Sequence, residues 1–201
     1  SNSDTRCKPP APRKGKAIIE GHRMHRTNET HDPNLRSWVE SANDVDADFP
    51  IQNLPFGVIS PNGVNDDRIA VAIGDQVLDL RSCFRAGLLE GLVGDASHAV
   101  FEARTLNPLM AQNPQVWSAV RRCLSRGLRQ GSAQQAALSR HLLAMQDITL
   151  KLPSRIGDFT DFYCSIEHAT NGGKMSRPDN PLMPNFTSLP LGYNGRASSV
   201  I

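Results

Sequence analysis

The thirteen residues RIAVAIGDQVLDL, Arg68–Leu80, restrict the folds open to this chain more than any other stretch. Ile69, Val71 and Ile73 alternate with alanines, and a period of two places them on one face of a strand. Gly74-Asp75 supplies a short turn, and Val77, Leu78 and Leu80 supply a return strand, so the pattern is that of a β-hairpin. Upstream, Pro55 disfavours the helical region for the residue before it, so Asn53 to Gly57 reads as extended chain. Ser-Pro-Asn-Gly at Ser60–Gly63 is a turn signal. The first half is therefore expected to be a small β-rich unit.

The middle of the chain changes period. Asn113 is a candidate N-cap with Pro114 at the first helical position, and Trp117, Val120, Leu124 and Leu128 then recur at helical spacing. Ser132 with Gln135 suggests a second capped helix, with Leu138, Leu142 and Met145 as its apolar stripe. Both stripes are expected to pack into a core. From Gly172 to Gly195 glycine, proline, asparagine and serine dominate and no helical period survives, so this part is expected to be loop-rich, where chemistry tends to sit.

Composition narrows the partners. The formal net charge is +2, which gives no overall argument for nucleic acid, and none is expected. No apolar run approaches the roughly 20 residues of a membrane helix, and no membrane association is expected. Cys7, Cys83, Cys123 and Cys164 show neither a CxxC pair nor a zinc spacing, so four reduced thiols of an intracellular, cytoplasmic protein are expected. Residues 1–34 begin without methionine, carry no apolar signal segment, and are basic and proline-containing at their start. They are expected to be a disordered tail.

The densest chemistry lies in DFTDFYCSIEHATNGGKMSR, Asp158–Arg177. Asp158 and Asp161 could serve a hard cation such as Ca²⁺ or Mg²⁺, or simply form a turn or cap. His168 could act as a general base near neutral pH, or be an ordinary histidine. Arg177 could hold a carboxylate, and Tyr163 and Tyr193 could donate to a substrate oxygen. Cys164 with His168 is a weak thiol–imidazole pair. Gly172-Gly173 resembles a phosphate cradle only loosely, because the Lys-Ser/Thr ending of a P-loop is missing.

Taken as an ordered set, DFTDFYCSIEHATN, LMPNF and LPLGYNGRASSV, with DFPIQNLPFGV, RIAVAIGDQVLDL and TLNPLM upstream, resemble the fumarylacetoacetase family over about Leu35 to Ile201. Between Arg177 and Tyr193 the chain is one residue shorter than the family spacing, and Lys174 stands where an apolar residue is common.

The resemblance implies a mainly β fold with some α. An SH3-like β-barrel N-terminal domain with helical additions would cover residues 35–152. The beginning of a mixed β-roll catalytic domain, cut off at Ile201, would cover residues 153–201. It also implies hydrolysis of 4-fumarylacetoacetate to fumarate and acetoacetate, the last step of tyrosine and phenylalanine catabolism. His168 would be the general base, Asp161 a ligand to Ca²⁺ or Mg²⁺, and Tyr163, Arg177 and Tyr193 would bind substrate. A homodimer is implied for the full-length family. Further ligands fall later in that family, so the 201-residue chain alone is expected to be inactive and to bind metal poorly. Its C-terminal segment is expected to leave Met183, Phe186, Leu189 and Leu191 short of partners. The alternative is a non-catalytic truncated module that pairs with a partner through its N-terminal domain.

Overall fold

The computed structural model describes residues 27–157, 160–189 and 191–194. The chain divides into two compact units, Ser1–Arg155 and Ile156–Ile201.

The first unit is built on the expected hairpin. β1 is Phe56–Pro61, β2 is Arg68–Ile73 and β3 is Gln76–Asp79, and Ile73 faces Gln76 across the Gly74-Asp75 turn. Gly74 sits at φ +57°, and a Cβ there would lie 2.6 Å from the Ala42 backbone nitrogen, so the turn needs glycine twice over. The expected turn after β1 also forms: Val64 N–H donates to the Pro61 carbonyl, and Gly63 has φ +76°.

Five helices follow. They are α1 (Leu80–Arg85), α2 (Ser97–Phe101), α3 (Asn107–Met110), α4 (Pro114–Leu128) and α5 (Gln135–Leu138). α4 starts as its sequence implies: the Asn113 side chain accepts from Val116 N–H, with Pro114 in the first turn. Val120, Leu124 and Leu128 are buried, while Trp117 stays half-exposed with its indole N–H on the Leu109 carbonyl.

Two short strands complete the sheet: β4 (Leu142–Ala144) pairs with β3, and β5 (Ile148–Lys151) pairs with β1. The antiparallel order is β4-β3-β2-β1-β5, so strands adjacent in sequence occupy opposite edges. Only the 3₁₀ turn Met145–Asp147 joins them. Four Cα steps reach at most about 15 Å, whereas the edges of a flat five-stranded sheet lie roughly 19 Å apart. The sheet must therefore curl, and it forms a half-barrel. The connecting turn is tied to both ends: Met145 N–H donates to the Asp75 carbonyl, and Asn62 N–H to the Asp147 carbonyl.

Curling explains the alternation in β2. Ile69, Val71 and Ile73 face outward into the main core with the helices. Ala70 faces a smaller cluster with Ile59 and Val77, against which Ala72, Leu143, Met145 and Ile148 pack. The concave side is narrow, so alanine suits it.

Four expectations are corrected. The described chain is mixed α/β rather than mainly β, because five helices are inserted between β3 and β5 and a sixth follows in the second unit. The second amphipathic helix shrinks to the single turn of α5. Leu142 and Met145 are drawn into the sheet edge and its connecting turn, since β3 needs a partner and backbone pairing outweighs helix propensity there. Residues 27–34 are not a bare tail: a 3₁₀ turn at Glu29–His31 is capped by Asn28 and buries Thr30. The remaining tail residues, 1–26, lie outside the described residues. Finally, Cys123 is disulfide-bonded, so the four cysteines are not all reduced; Cys7 lies outside the described residues.

Cys83 and Cys164 are free thiols. Burial, helped by the charge of Asp79, pushes the Cys83 thiol up to about 12, whereas Cys164 is exposed. Alkylation followed by peptide mass spectrometry should therefore modify Cys164 within minutes at pH 8 and Cys83 only as urea unfolds the first unit. Equal rates in native buffer would contradict the burial.

No helix among the described residues is long and apolar enough to cross a membrane.

Candidate active site

The second unit carries the chemistry-bearing stretch. β6 (Thr160–Phe162) pairs antiparallel with β7 (Gly192–Asn194), and α6 (Ile166–Ser176) lies between them in sequence. The stretch from Gly172 is loop-rich as expected over residues 177–189, but α6 runs through Gly172 and Gly173 and so corrects that expectation at residues 172–176. Ser165 caps α6, accepting from His168 N–H at 3.2 Å, with Glu167 in the first turn.

The glycine pair has a packing role. A Cβ on Gly173 would land on the Pro181 carbonyl group, 2.7 Å from its carbon, so the following loop approaches the helix backbone directly. A Cβ on Gly172 would sit 3.2 Å from the Tyr163 hydroxyl. The loose phosphate-cradle reading is thereby replaced. Gly173→Ala should destabilise the second unit by about 1–3 kcal/mol through overpacking, outweighing alanine's helical advantage of roughly 1 kcal/mol. Faster amide exchange along α6 would show it; unchanged exchange would contradict the close approach.

Asp161 stands at the middle of β6 with an exposed side chain, and its register partner across the ladder is Tyr193. For Tyr193 the structure describes the backbone. Tyr163 follows β6 and donates its N–H to the Leu191 carbonyl. Its half-buried ring meets His168 edge-on at 4.9 Å between centroids, and Phe186 in the same manner at 5.8 Å. His168 is exposed in the first turn of α6. The strand-to-helix corner thus brings Tyr163 and His168 together and sets Asp161 opposite Tyr193.

Arg177 is elsewhere. It forms the C-cap of α6, with its guanidinium 3.5 Å from the Pro181 carbonyl. Nine residues of helix separate it from His168 by about 14 Å along the axis. Cys164 is exposed beside Tyr163, and Asp158 lies outside the described residues.

Met183, Leu189 and Leu191 are exposed, whereas Phe186 packs on Tyr163. Its part in holding the tyrosine ring left no local sequence signal, because the contact spans a 23-residue excursion through α6 and the loop after it.

Among the described residues no group of three or more His, Cys, Asp or Glu side chains is placed to hold a metal ion. Asp161 by itself cannot satisfy Ca²⁺ or Mg²⁺, which take six or more oxygen ligands.

The model of the fumarylacetoacetase N-terminal family matches residues 52–153, half of the chain. The chain belongs to this family. Curated relatives extend the likeness. The fumarylacetoacetase of Caenorhabditis elegans is 47% identical over 160 residues, covering 77% of this chain and 38% of that protein. Those of Rattus norvegicus (45% identical, 78% and 38%) and Dictyostelium discoideum (40% identical, 83% and 39%) are similar. The chain therefore spans well under half the length of the fumarylacetoacetases it matches.

Proposed function

We propose that the chain is the N-terminal portion of a fumarylacetoacetase, hydrolysing 4-fumarylacetoacetate to fumarate and acetoacetate in tyrosine and phenylalanine catabolism. The observation that carries this reading is 47% identity over 160 residues to a protein of that name. Cytoplasmic location and homodimerisation belong to the same reading.

Residues 35–152 are assigned to an SH3-like N-terminal domain. Support comes from a curled antiparallel sheet whose last two strands are joined across its edges by one 3₁₀ turn. Residues 153–201 are assigned to the start of a β-roll catalytic domain.

In the reaction water adds to one carbonyl carbon of the β-diketone. The bond from that carbon to the central methylene then breaks. Its electron pair leaves as the enolate of acetoacetate, which takes up a proton, and the fumaryl part departs as the carboxylate. His168 accepts the proton of the attacking water. It suits this role because it is exposed in the first helical turn and its ring is steadied by Tyr163. Tyr163, Arg177 and Tyr193 are assigned to substrate oxygens, with Arg177 able to pair a carboxylate end. Asp161 is assigned as one carboxylate of a Ca²⁺ or Mg²⁺ site. The described residues do not complete that site.

Two measurements test the reading. The full-length gene product should consume 4-fumarylacetoacetate and release fumarate, and absence of turnover would overturn the assignment. The 201-residue chain titrated calorimetrically with Ca²⁺ should show no tight stoichiometric binding. Submicromolar binding would overturn the view that Asp161 needs further ligands.

A further inference from the structure

The last residues of the first unit are held by a side chain that mimics a neighbouring strand. Asn107 Oδ1 accepts from Arg155 N–H at 2.8 Å, and Asn107 Nδ2 donates to the Arg155 carbonyl at 3.0 Å. One carboxamide thus takes both polar backbone groups of one residue, the exchange that two paired strand residues make. Beside it, Leu106 N–H donates to the Pro153 carbonyl at 2.7 Å. The support is firm: Leu106 and Leu109 are buried in the main core, and the Trp117 indole ties α3 to α4.

Arg155 and Ile156 are themselves exposed, at the boundary between the two units. An exposed arginine in a connector is an open invitation to an arginine-specific protease. Such an enzyme, however, must take the backbone of the residue before the cut in extended form. It pairs with that residue's N–H and draws its carbonyl into an oxyanion hole. Asn107 already occupies both groups.

We propose that Asn107 is a latch on the connector: it closes the Arg155–Ile156 bond to arginine-specific cleavage, and its release opens the chain between the two units. Asparagine is the residue this requires. Aspartate keeps the acceptor but loses the donor, glutamine is one methylene too long, and alanine keeps neither. The Asn107 side chain is exposed, so its removal leaves the core intact.

The experiment is limited trypsin digestion of the 201-residue chain in native buffer, with cleavage after Arg155 followed by mass spectrometry and exchange of the Arg155 amide read in parallel. N107A should be cut after Arg155 about five- to tenfold faster than wild type, with a similar rise in amide exchange. N107D should keep most of the amide protection, through its remaining acceptor, and be cut at an intermediate rate. Equal cleavage of wild type and N107A at Arg155 would overturn the latch. So would faster cleavage spread evenly over the first unit, since that would mark general loosening. Tryptophan fluorescence in urea checks that the first unit of N107A remains folded; if its midpoint falls, N107D decides.

Discussion

Arg81→Ala should lower the stability of the first unit by about 3 kcal/mol, the largest expected loss for a residue outside the apolar core. The Arg81 side chain is only 6% exposed. It donates to Asp66 Oδ1 at 2.6 Å and to the carbonyls of Asp67, Glu102 and Ala103, so it fastens the β1–β2 loop to the end of α2. Alanine would leave those carbonyls without donors, while Asp66 would keep its contact with Arg68 at 2.5 Å. That remaining pair is why the loss should fall short of a fully orphaned buried charge. Trp38 and Trp117, the chain's two tryptophans, both lie in the first unit, so urea unfolding followed by their fluorescence reads this unit alone. A change below about 1 kcal/mol would contradict the fastening role.

The same cluster sets a pH dependence. Burial pushes the Asp66 carboxyl up, but the hydrogen bonds and charges of Arg81 and Arg68 together outweigh it and hold the group below the ordinary carboxylate range. Glu102 is held low chiefly by its hydrogen bond from Arg85, against the effect of burial. A carboxylate depressed on folding contributes stability that is present above its unfolded pKa and is lost as pH falls through its folded one. The urea midpoint should therefore drop below about pH 4, and less steeply in Arg81→Ala. An equally steep acid loss in the variant would show that other carboxylates govern it.

On the proposed role of His168 as general base, His168→Gln in the full-length gene product should reduce kcat for 4-fumarylacetoacetate about 10²- to 10⁴-fold, the usual share of such a group. The histidine side chain is exposed, and its backbone N–H is held by Ser165 whatever side chain it bears. Unfolding should therefore be nearly unchanged. The lost edge contact with Tyr163 would account for no more than about 1 kcal/mol. A loss of kcat under tenfold would remove His168 from the proton transfer. A large fall in stability would make it a structural residue instead.

What could be read from the sequence depended on the range of the interaction. The Arg68–Asp79 hairpin and the capped start of α4 were legible because turn, cap and periodicity lie within a few residues of each other. The helix expected through Met145 was not, because Leu142 is claimed by Leu78, far away in sequence, and a strand edge cannot be inferred from a local stripe. α6 was hidden because Gly172-Gly173 opened the stretch expected to be loop-rich; they are glycines because the Pro181 backbone and the Tyr163 hydroxyl lie against the helix. In the candidate site the residue types were visible, and so was their spacing. The Tyr163–His168 contact was not, since it depends on the corner capped at Ser165. The buried Arg81 among the loop carbonyls was invisible too, because an arginine in a short helix reads as a surface residue.

The 3₁₀ turn that carries the chain from one sheet edge to the other also orders events during synthesis. Pro61 meets its ladder partner only at Ile148, 87 positions later. At ribosomal rates of about 5–20 residues per second, the free edge of β1 waits roughly 4–17 s for its neighbour. During that wait Val58 and Ile59, both buried in the finished unit, sit on an open strand edge of the nascent chain. Residues 148–151 thus act as a closing seal, and a nascent chain halted before them would be prone to pair with its neighbours.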